Sequence, residues 1–422
     1  MIRHIPSMLG LGPDRRIAVP DDLRAITMIG PESDPAHAGL DHAAVESIWS
    51  AVCEWYAAGV NPAIQICLRR DGAVILNRAI GHEPENAKPA TPDTPMCIYS
   101  ASKGITATVV HMLAERGALA LNDRVCQYLP AFAAHSKHHI TIQQLLDYSA
   151  GIPEMPRDVP LAALIDTDDR MRSILQSLRP LHRPGLLHIY HPLTGGLVLR
   201  EVVRAATDRC ISDVLAEEIL RPLGFRWTNY GVAPHDLALV GRCAMAGRTA
   251  PAPVTSIMRR GLSGSLDDIV ELANQDSFLT AVLPPANVVS TAAELARFYE
   301  ILLRGGELDG VRVLNPESVR QAVAPRGRLA GVPGLRISSG FVLGQHISLF
   351  GRNTESLFGH PGLTSVFAWA DPARGLSGAV VPNGKSLLAG NIHLTRLLDR
   401  IACRIPQLTS PPHFTGVSGR AA

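Results

Sequence analysis

The sequence predicts an α+β fold: an antiparallel β-sheet flanked by an N-terminal and a C-terminal helix, with a large, mostly helical lobe inserted between its strands. Three observations support this prediction. Strand-like runs are confined to the two ends of the chain, helical periodicity fills the middle, and one helix accompanies the strands at each end. With 46% hydrophobic and 18% charged residues, the 422-residue chain has the composition of a globular protein that builds a large core.

The N-terminal group of elements begins with a helix. Asp41 is a good N-cap, apolar residues recur after it at helical spacing, and Gly59 provides a stop signal. Two strand-like runs follow at 63–68 and 73–76, and an Asp-Gly dipeptide typical of tight turns lies between them. We therefore expect a helix followed by a β-hairpin.

The C-terminal group has its strands first and its helix last. Strand-like runs at 341–349, 364–370 and 376–381 are separated by Gly, Asn, Asp and Pro, and a helical pattern of leucines and isoleucines follows at 386–404.

The chain between these two groups of elements is largely helical in pattern. The predicted organisation is an irregular N-terminal extension (1–40), a single catalytic domain (41–405) made of an α/β part (about 41–100 and 290–405) and a helical lobe (about 101–289), and a C-terminal tail (406–422).

Charge and cysteine usage exclude several classes of function. The formal net charge of +2, from 40 basic and 38 acidic side chains, is too small to indicate a nucleic-acid partner. No uncharged apolar run reaches the roughly 18 residues of a membrane helix, and the N-terminus lacks the apolar region of a secretory signal. The seven cysteines are scattered without a CxxC pair, which indicates reduced thiols and a cytoplasmic protein.

The stretch CIYSASKGITA contains the candidate nucleophile. Ser100 and Lys103 lie three residues apart at the start of a predicted helix, and side chains at i and i+3 share one helical face. A serine hydroxyl becomes a nucleophile when a base takes its proton, and a lysine is such a base when burial lowers its pKa. The same spacing also suits a simpler arrangement, an N-capping serine beside a solvated lysine. The flanking sequence favours catalysis.

Those flanks, SASKGITATVVHMLAERGALALNDRVCQYLPAF, resemble the stretch after the nucleophile in class C β-lactamase-like serine hydrolases. That superfamily also includes penicillin-binding proteins, family VIII carboxylesterases and the acyltransferase of statin biosynthesis, and SxxK is among the motifs of the wider penicillin-recognising group. TIQQLLDYSAGIP (141–153) is similar to the family segment TIxxLLxHTSGLP, and the stretch beginning PPANVVSTAAELARF at 284 is also family-like. The resemblance covers roughly residues 45–400 and implies a β-lactamase/transpeptidase-like fold.

The resemblance also implies a tyrosine in the helical lobe that shares in proton transfer, and two candidates exist. Tyr190, in RPGLLHIYHPLTGG, matches the family's second motif and is the predicted catalytic tyrosine. Tyr148, in DYSAG, occupies a position where relatives carry His or Tyr, and we expect it to line or support the cleft. His191 is a candidate for substrate contact or a surface residue of the loop. Pro192 stands where lactamases place an asparagine, which favours the esterase-like members.

The third family element is FGHPGLTSVFAWADPARGLSGAVVPNG, which resembles the strand that carries Lys-Thr-Gly in lactamases. Here the motif is His360-Pro361-Gly362, and family VIII esterases and their relatives commonly use His or Trp at its first position. The resemblance implies an oxyanion hole formed by the backbone N–H groups of Leu363 and Ser100. The lysine that would hold the carboxylate of a β-lactam or peptide is absent, so a neutral acyl substrate is favoured.

Together these elements predict a serine hydrolase that cleaves carboxylic esters through an acyl-enzyme on Ser100, with Lys103 and Tyr190 moving the proton. Two alternatives stay open: acyl transfer to an alcohol or amine at the same site, and a non-catalytic scaffold or binding protein of this fold. The expected partner is a small-molecule ester or acyl substrate, with no cofactor, no nucleic acid and no membrane span. The sequence leaves the acyl chain length and the oligomeric state open.

The histidine clusters give no metal prediction. His188 with His191, and the group of His135, His138 and His139, lack a carboxylate or further histidine at ligand spacing. The second group belongs to HSKHH, one of the two densest basic spots of the chain, which we expect to be solvated surface.

Overall fold

The structure, a computed structural model, describes residues 14–84, 87–166, 168–248, 256, 259, 264–332, 334–386 and 389–409. Residues 1–13 of the predicted extension and residues 410–422 of the predicted tail lie outside the described residues. The domain boundaries given above stay a prediction.

One sheet of nine strands lies at the centre, and every neighbouring pair of its strands is antiparallel. Across the sheet, numbered in chain order, the strands follow the sequence β4-β5-β6-β7-β8-β9-β2-β3-β1. The N-terminal and C-terminal strands therefore meet in the middle, at β9 and β2, and the predicted α+β class is confirmed. The strands are β1 (Thr27–Ile29), β2 (Ala63–Arg70), β3 (Ala73–Gly81), β4 (Gly327–Arg328), β5 (Arg336–Ile337), β6 (Val342–Leu343), β7 (Phe358–Pro361), β8 (Phe367–Asp371) and β9 (Leu376–Pro382).

Helices cover the sheet and fill the chain between its N-terminal and C-terminal strands. Within the described residues, none of them combines the length and apolarity that crossing a membrane requires. They are α1 (His42–Ala57), α2 (Ser102–Glu115), α3 (Val125–Tyr128), α4 (Ile142–Leu146), α5 (Asp168–Ser177), α6 (Thr194–Thr207), α7 (Ile211–Leu215), α8 (Leu266–Ala273), α9 (Asp276–Thr280), α10 (Ala292–Leu303), α11 (Pro316–Val323) and α12 (Ala389–Arg404).

The two faces of the sheet belong to two apolar cores. The first and last helices, α1 and α12, pack together over one face, and α10 lies against β2, β8 and β9 on the other. Successive strand residues alternate between these cores, as the two-residue period of a strand requires: Val380 lies in the α1/α12 core, while Ala379 and Val381 lie in the α10 core. Burial on both sides explains why the central strands are apolar at nearly every position.

Local signals account for the N-terminal elements. The carboxylate of Asp41 accepts a hydrogen bond from the N–H of Ala44 at 2.6 Å, which caps α1 as predicted. Asp71 and Gly72 both have positive φ, 49° and 90°, the combination that a type I′ hairpin turn needs between β2 and β3.

The two hairpin strands extend further than predicted, to Arg70 and Gly81, and three other parts of the sheet also differ from the prediction. The run 341–349 contributes only β6 to the sheet, because Ile347 and Ser348 pair with Arg352 and Gly351 in a separate two-stranded hairpin. The run 364–370 becomes a strand only from Phe367, since Thr364 and Ser365 have φ of 45° and 80° and form the turn that precedes β8. The predicted irregular extension contains β1, whose three residues are too few to show a strand pattern.

Candidate active site

Ser100 lies in a short 3-10 turn, Tyr99–Ala101, that leads directly into α2. Tyr99, the residue before it, has a φ of 50°, in the left-handed region that side-chain-bearing residues rarely adopt. Such a conformation persists only where the surrounding structure holds it, and it is common at functional sites. The predicted nucleophile therefore lies at a sharp change of chain direction.

Lys103 lies one helical turn further on, with its amine directed at the serine. The Nζ atom is 3.1 Å from the Oγ of Ser100 and donates a hydrogen bond to the carbonyl oxygen of Pro285 at 2.8 Å. The side chain is only 7% exposed, and no salt bridge to an acidic side chain of the described residues compensates its charge. Burial therefore holds the pKa of Lys103 well below its usual range, which favours the neutral amine.

The segment 284–288 fixes this arrangement from the other side. The Oγ of Ser102 accepts from the N–H of Val288 at 3.0 Å, and the N–H of Ile98 donates to the carbonyl of Val288 at 2.9 Å. Sequence reasoning recognised this stretch as family-like but not as part of the site. The contribution of Pro285 is a backbone carbonyl, which no residue pattern reveals.

Tyr190 meets Ser100 from a loop of the lobe. Its side chain lines the same cavity as Ser100, and the Nζ of Lys103 lies 5.1 Å from the centre of its ring. Burial raises the pKa of this phenol, and the nearby hydroxyl of Ser100 offsets part of the rise. The structure thus brings together the three side chains that were predicted to be catalytic, and Tyr190 is the protonated member of the group.

Tyr148 lies beside Tyr190 in an edge-to-face contact, with the ring centres 5.1 Å apart. Its backbone has a φ of 61°, again in the left-handed region, and its carbonyl accepts from the N–H of Ile189 at 2.9 Å. The phenol contacts the Nε2 of His360 at 2.8 Å. Burial, and next the proximity of Tyr190, raise the pKa of Tyr148 well above its usual range.

His360, on β7, has both ring nitrogens engaged. Its Nδ1 lies 2.7 Å from the carbonyl oxygen of Pro361, which accepts only, so Nδ1 carries the proton and Nε2 accepts from Tyr148. Burial, and next the proximity of Lys103, lower the pKa of His360 to about 3. The imidazole is therefore neutral at physiological pH and gives the site no cation in place of the lysine of lactamases.

Gly362 and Leu363 form the turn after β7, next to the nucleophile. A side chain at Gly362 would collide with the carbonyl oxygen of Ile98, so a glycine is required by the packing of the protein itself. The N–H of Gly362 donates to the carbonyl of Val366 at 2.8 Å, whereas that of Leu363 has no hydrogen-bond partner among the described residues. A free backbone donor in this turn is what an oxyanion hole needs.

His191 is placed differently from the other predicted site residues. The side chain is fully buried, its Nε2 accepts from the N–H of Ile152 at 3.1 Å, and its Nδ1 lies 2.6 Å from the carbonyl oxygen of Ile189. Burial lowers its pKa to about 3. The ring joins the Tyr148 and Tyr190 loops and does not line the cavity described next.

A cavity of about 410 Å³ opens beside Ser100. Its polar lining consists of Ser100, Tyr148, Tyr190, His360 and Thr364, and none of the described residues that line it carries a charge. Much of the remaining wall is aliphatic: Leu329, Val332, Leu335, Ile337, Val342 and Leu363.

A second, smaller pocket of about 40 Å³ lies on another side of the serine. Ser100, Pro192 and Leu363 line both spaces, so the serine stands at their junction. The wall of the small pocket is almost entirely apolar and comes from the lobe: Leu161, Leu164, Leu193, Ile269, Leu272, Phe278 and Ala286.

This arrangement supplies a hydroxyl, a buried amine that favours its neutral form, and a phenol that keeps its proton. Such a set can deprotonate a serine and return a proton to a leaving group.

Among the described residues, no group of three or more His, Cys, Asp and Glu side chains lies close enough together to hold a metal ion.

Comparisons with known proteins agree with the resemblance inferred from the motifs. The profile of the β-lactamase family matches residues 51–401. An esterase/β-lactamase of Mycobacterium tuberculosis, LipL, is 32% identical over 309 residues, which are 70% of each chain. Two crystal structures, of a penicillin-binding protein homologue from Caulobacter crescentus and of a family VIII carboxylesterase, each superpose with a TM-score of 0.74 at 26% identity. Both superpositions cover 86% of this chain. They cover 97% of the penicillin-binding protein homologue and 98% of the carboxylesterase.

Proposed function

This chain belongs to the β-lactamase family and is a hydrolase of the wider β-lactamase and esterase superfamily, and we propose that its substrates are neutral carboxylic esters. The single observation that carries the proposal is the contact between Lys103 and Ser100, 3.1 Å from Nζ to Oγ, in a buried site where the amine favours its neutral form. A neutral amine at that distance is a base for the serine hydroxyl.

In the proposed reaction, Oγ of Ser100 attacks the ester carbonyl carbon while its proton passes to the amine of Lys103. The carbonyl oxygen becomes an oxyanion that the N–H groups of Ser100 and Leu363 stabilise. The C–O bond to the alcohol then breaks, and the alkoxide takes a proton from the phenol of Tyr190, which is restored from the lysine ammonium. Water repeats these steps on the acyl-enzyme and releases the acid.

The two spaces beside Ser100 support a division of the substrate. The small apolar pocket favours a short acyl group, because its volume of about 40 Å³ is roughly a tenth of that of the neighbouring 410 Å³ cavity. The 410 Å³ cavity is of a size for the alcohol part, and its aliphatic walls favour an apolar alcohol. We therefore propose short-chain esters of bulky apolar alcohols as the substrate class.

A fluorophosphonate probe, which reacts with activated serines, tests the proposed chemistry directly. We expect it to label the wild-type protein, to fail with Ser100→Ala, and to label the control Ser173→Ala, whose serine is exposed on α5. Hydrolysis of p-nitrophenyl butyrate should follow the same pattern. An unlabelled, folded wild type would favour the scaffold alternative instead.

Hydrolysis of β-lactams is a second candidate, favoured by the similarity to a protein named as both esterase and β-lactamase. The uncharged lining of the large cavity counts against it, because a β-lactam carboxylate would be buried there without a cation. Steady-state kinetics with a chromogenic cephalosporin and with p-nitrophenyl butyrate measure the preference, and we expect the higher kcat/KM for the ester. Adding an acceptor alcohol to the ester assay tests the alternative of acyl transfer.

A further inference from the structure

A second large cleft, of about 790 Å³, lies in the helical lobe and shares no lining residue with either space beside Ser100. One wall is the loop before α4, and the other is the chain that follows α5. Four histidines and two arginines contribute to the lining: His135, His138, His139, Arg179, His182 and Arg183. The HSKHH stretch, expected to be plain solvated surface, is therefore one side of a concave site.

The positive charge of this cleft is not compensated. No Asp or Glu is among the described residues that line it, and neither Arg179 nor Arg183 forms a salt bridge with any described residue. The rings of His138 and His139 lie 4.0 Å apart, and the proximity of His138 is the main cause that lowers the pKa of His139. A bound anion would counter this mutual repulsion and favour the protonated, hydrogen-bond-donating form of both rings.

A buried lysine connects the two walls of the cleft. Lys137 is fully buried, and its amine donates to the carbonyl oxygens of Ala134, Gln176 and Leu178 at 2.9, 2.8 and 2.6 Å. These bonds join the loop of one wall to the end of α5 at the other. A basic pocket with fixed walls loses little conformational entropy when a ligand binds.

The side chains available point to one ligand chemistry. Two arginines offer planar, bidentate donors that match phosphate oxygens, and the histidines add further N–H donors. A divalent cation is not favoured, because the lining has no carboxylate and no group of described residues meets the needs of a metal. We propose that this cleft binds a phosphate-bearing ligand.

Nearby leucines favour a phospholipid headgroup over a free phosphate compound as the source of that phosphate. Leu181, Leu186 and Leu187 belong to the same segment as the arginines and are 62%, 64% and 44% exposed. Exposed apolar side chains next to basic ones are the combination that anionic lipid surfaces attract. The same segment pairs with the Tyr148 loop and continues to Tyr190, so a bound lipid surface would lie on the lobe segment that supplies the catalytic phenol.

Binding experiments on the full chain test this proposal without reference to hydrolysis. The probes are phosphatidylcholine vesicles with and without phosphatidylglycerol, assayed by co-sedimentation, and inorganic pyrophosphate, assayed by calorimetry. The test variant is Arg179→Ala/Arg183→Ala. Its matched control is Arg221→Ala/Arg352→Ala, which removes two highly exposed arginines from elsewhere on the surface.

We expect wild type and control to bind vesicles that contain phosphatidylglycerol, and the test variant to bind them about 30-fold more weakly, since each arginine near an anionic surface contributes about fivefold. Binding to pyrophosphate but not to vesicles, with the same loss in the test variant, would support the phosphate site and assign it to soluble compounds. The proposal is overturned if the wild type binds neither probe, or if the two double variants bind equally well. Both variants change only exposed side chains, and a thermal melt verifies that they are folded.

Discussion

The phenol of Tyr148 donates a hydrogen bond to the Nε2 of His360 at 2.8 Å, and this contact distinguishes Tyr148 from Tyr190. Because the Nδ1 proton of His360 is committed to the carbonyl of Pro361, the histidine accepts from Tyr148 and orients it. The phenol of Tyr190 lies instead near Ser100, and both residues line the large cavity. We infer from this arrangement that Tyr190 is the proton donor and Tyr148 a positioning residue.

Exchanging each tyrosine for phenylalanine tests that assignment. We expect Tyr190→Phe to lower kcat for p-nitrophenyl butyrate by about 10²–10⁴, the usual contribution of general acid–base catalysis. Tyr148→Phe keeps the ring that packs against Tyr190 and should lose about tenfold or less. Steady-state kinetics on both variants decide the matter: an active Tyr190→Phe beside an inactive Tyr148→Phe would reverse the two roles.

Replacing Lys103 with methionine should abolish activity and stabilise the protein at neutral pH. The folded-state pKa of Lys103 is lowered by burial, whereas an unfolded lysine has a pKa of about 10.4. Between these two values the unfolded chain binds a proton that the folded chain does not, so stability rises with pH through that window. The methionine variant has no such titration.

Thermal melts at several pH values measure this effect. We expect Lys103→Met to exceed the wild type in Tm at pH 7, and the difference to shrink as the pH approaches about 10. Ser100→Ala is the control, because it is inactive yet keeps the lysine, and its Tm should follow the wild type. A Tm difference that does not vary with pH would mean that the lysine is charged in the folded protein.

The pH dependence of kcat/KM should show an acid limb that belongs to Lys103 and not to His360. Activity should increase with pH as the lysine amine loses its proton, whereas His360, with a pKa of about 3, is neutral throughout the usual assay range. The variant His360→Leu should lower kcat/KM, because Tyr148 loses its orienting acceptor, and leave the limb near its original pH. Disappearance of the limb in that variant would assign it to the histidine.

Enlarging the small pocket should change the preferred acyl chain. Leu164→Ala removes part of its wall, and we expect the ratio of kcat/KM for hexanoate over butyrate esters to rise by about tenfold or more, since one methylene in an apolar pocket is worth about 10–200-fold. Leu329→Ala, in the large cavity, is the matched control and should change the preference for the alcohol instead. If the two variants change the same part of the substrate, the proposed division is wrong.

The sequence determined the local part of this protein. The i, i+3 spacing puts Ser100, in the 3-10 turn before α2, one turn away from Lys103 in α2. Asp41 caps α1, and an Asp-Gly dipeptide forms the β2–β3 turn. Each of these depends on residues within one or two turns of chain, where dihedral preferences and hydrogen bonds act directly. Strand-like runs at the two ends of the chain indicated the sheet. The order of the family motifs added Tyr190, because residues carried by three such segments indicate one shared site.

The tertiary structure decided everything that depends on distant residues meeting. Lys103 favours its neutral form because the lobe and sheet exclude water from it, and its amine is held by a carbonyl 182 positions away. The neighbour of Tyr148 is His360, 212 positions along the chain. Burial and the distances between charges set pKa values and pocket walls, and neither is encoded in spacing along the chain. The same physics turned an unremarkable basic stretch, HSKHH, into one wall of a concave cationic site.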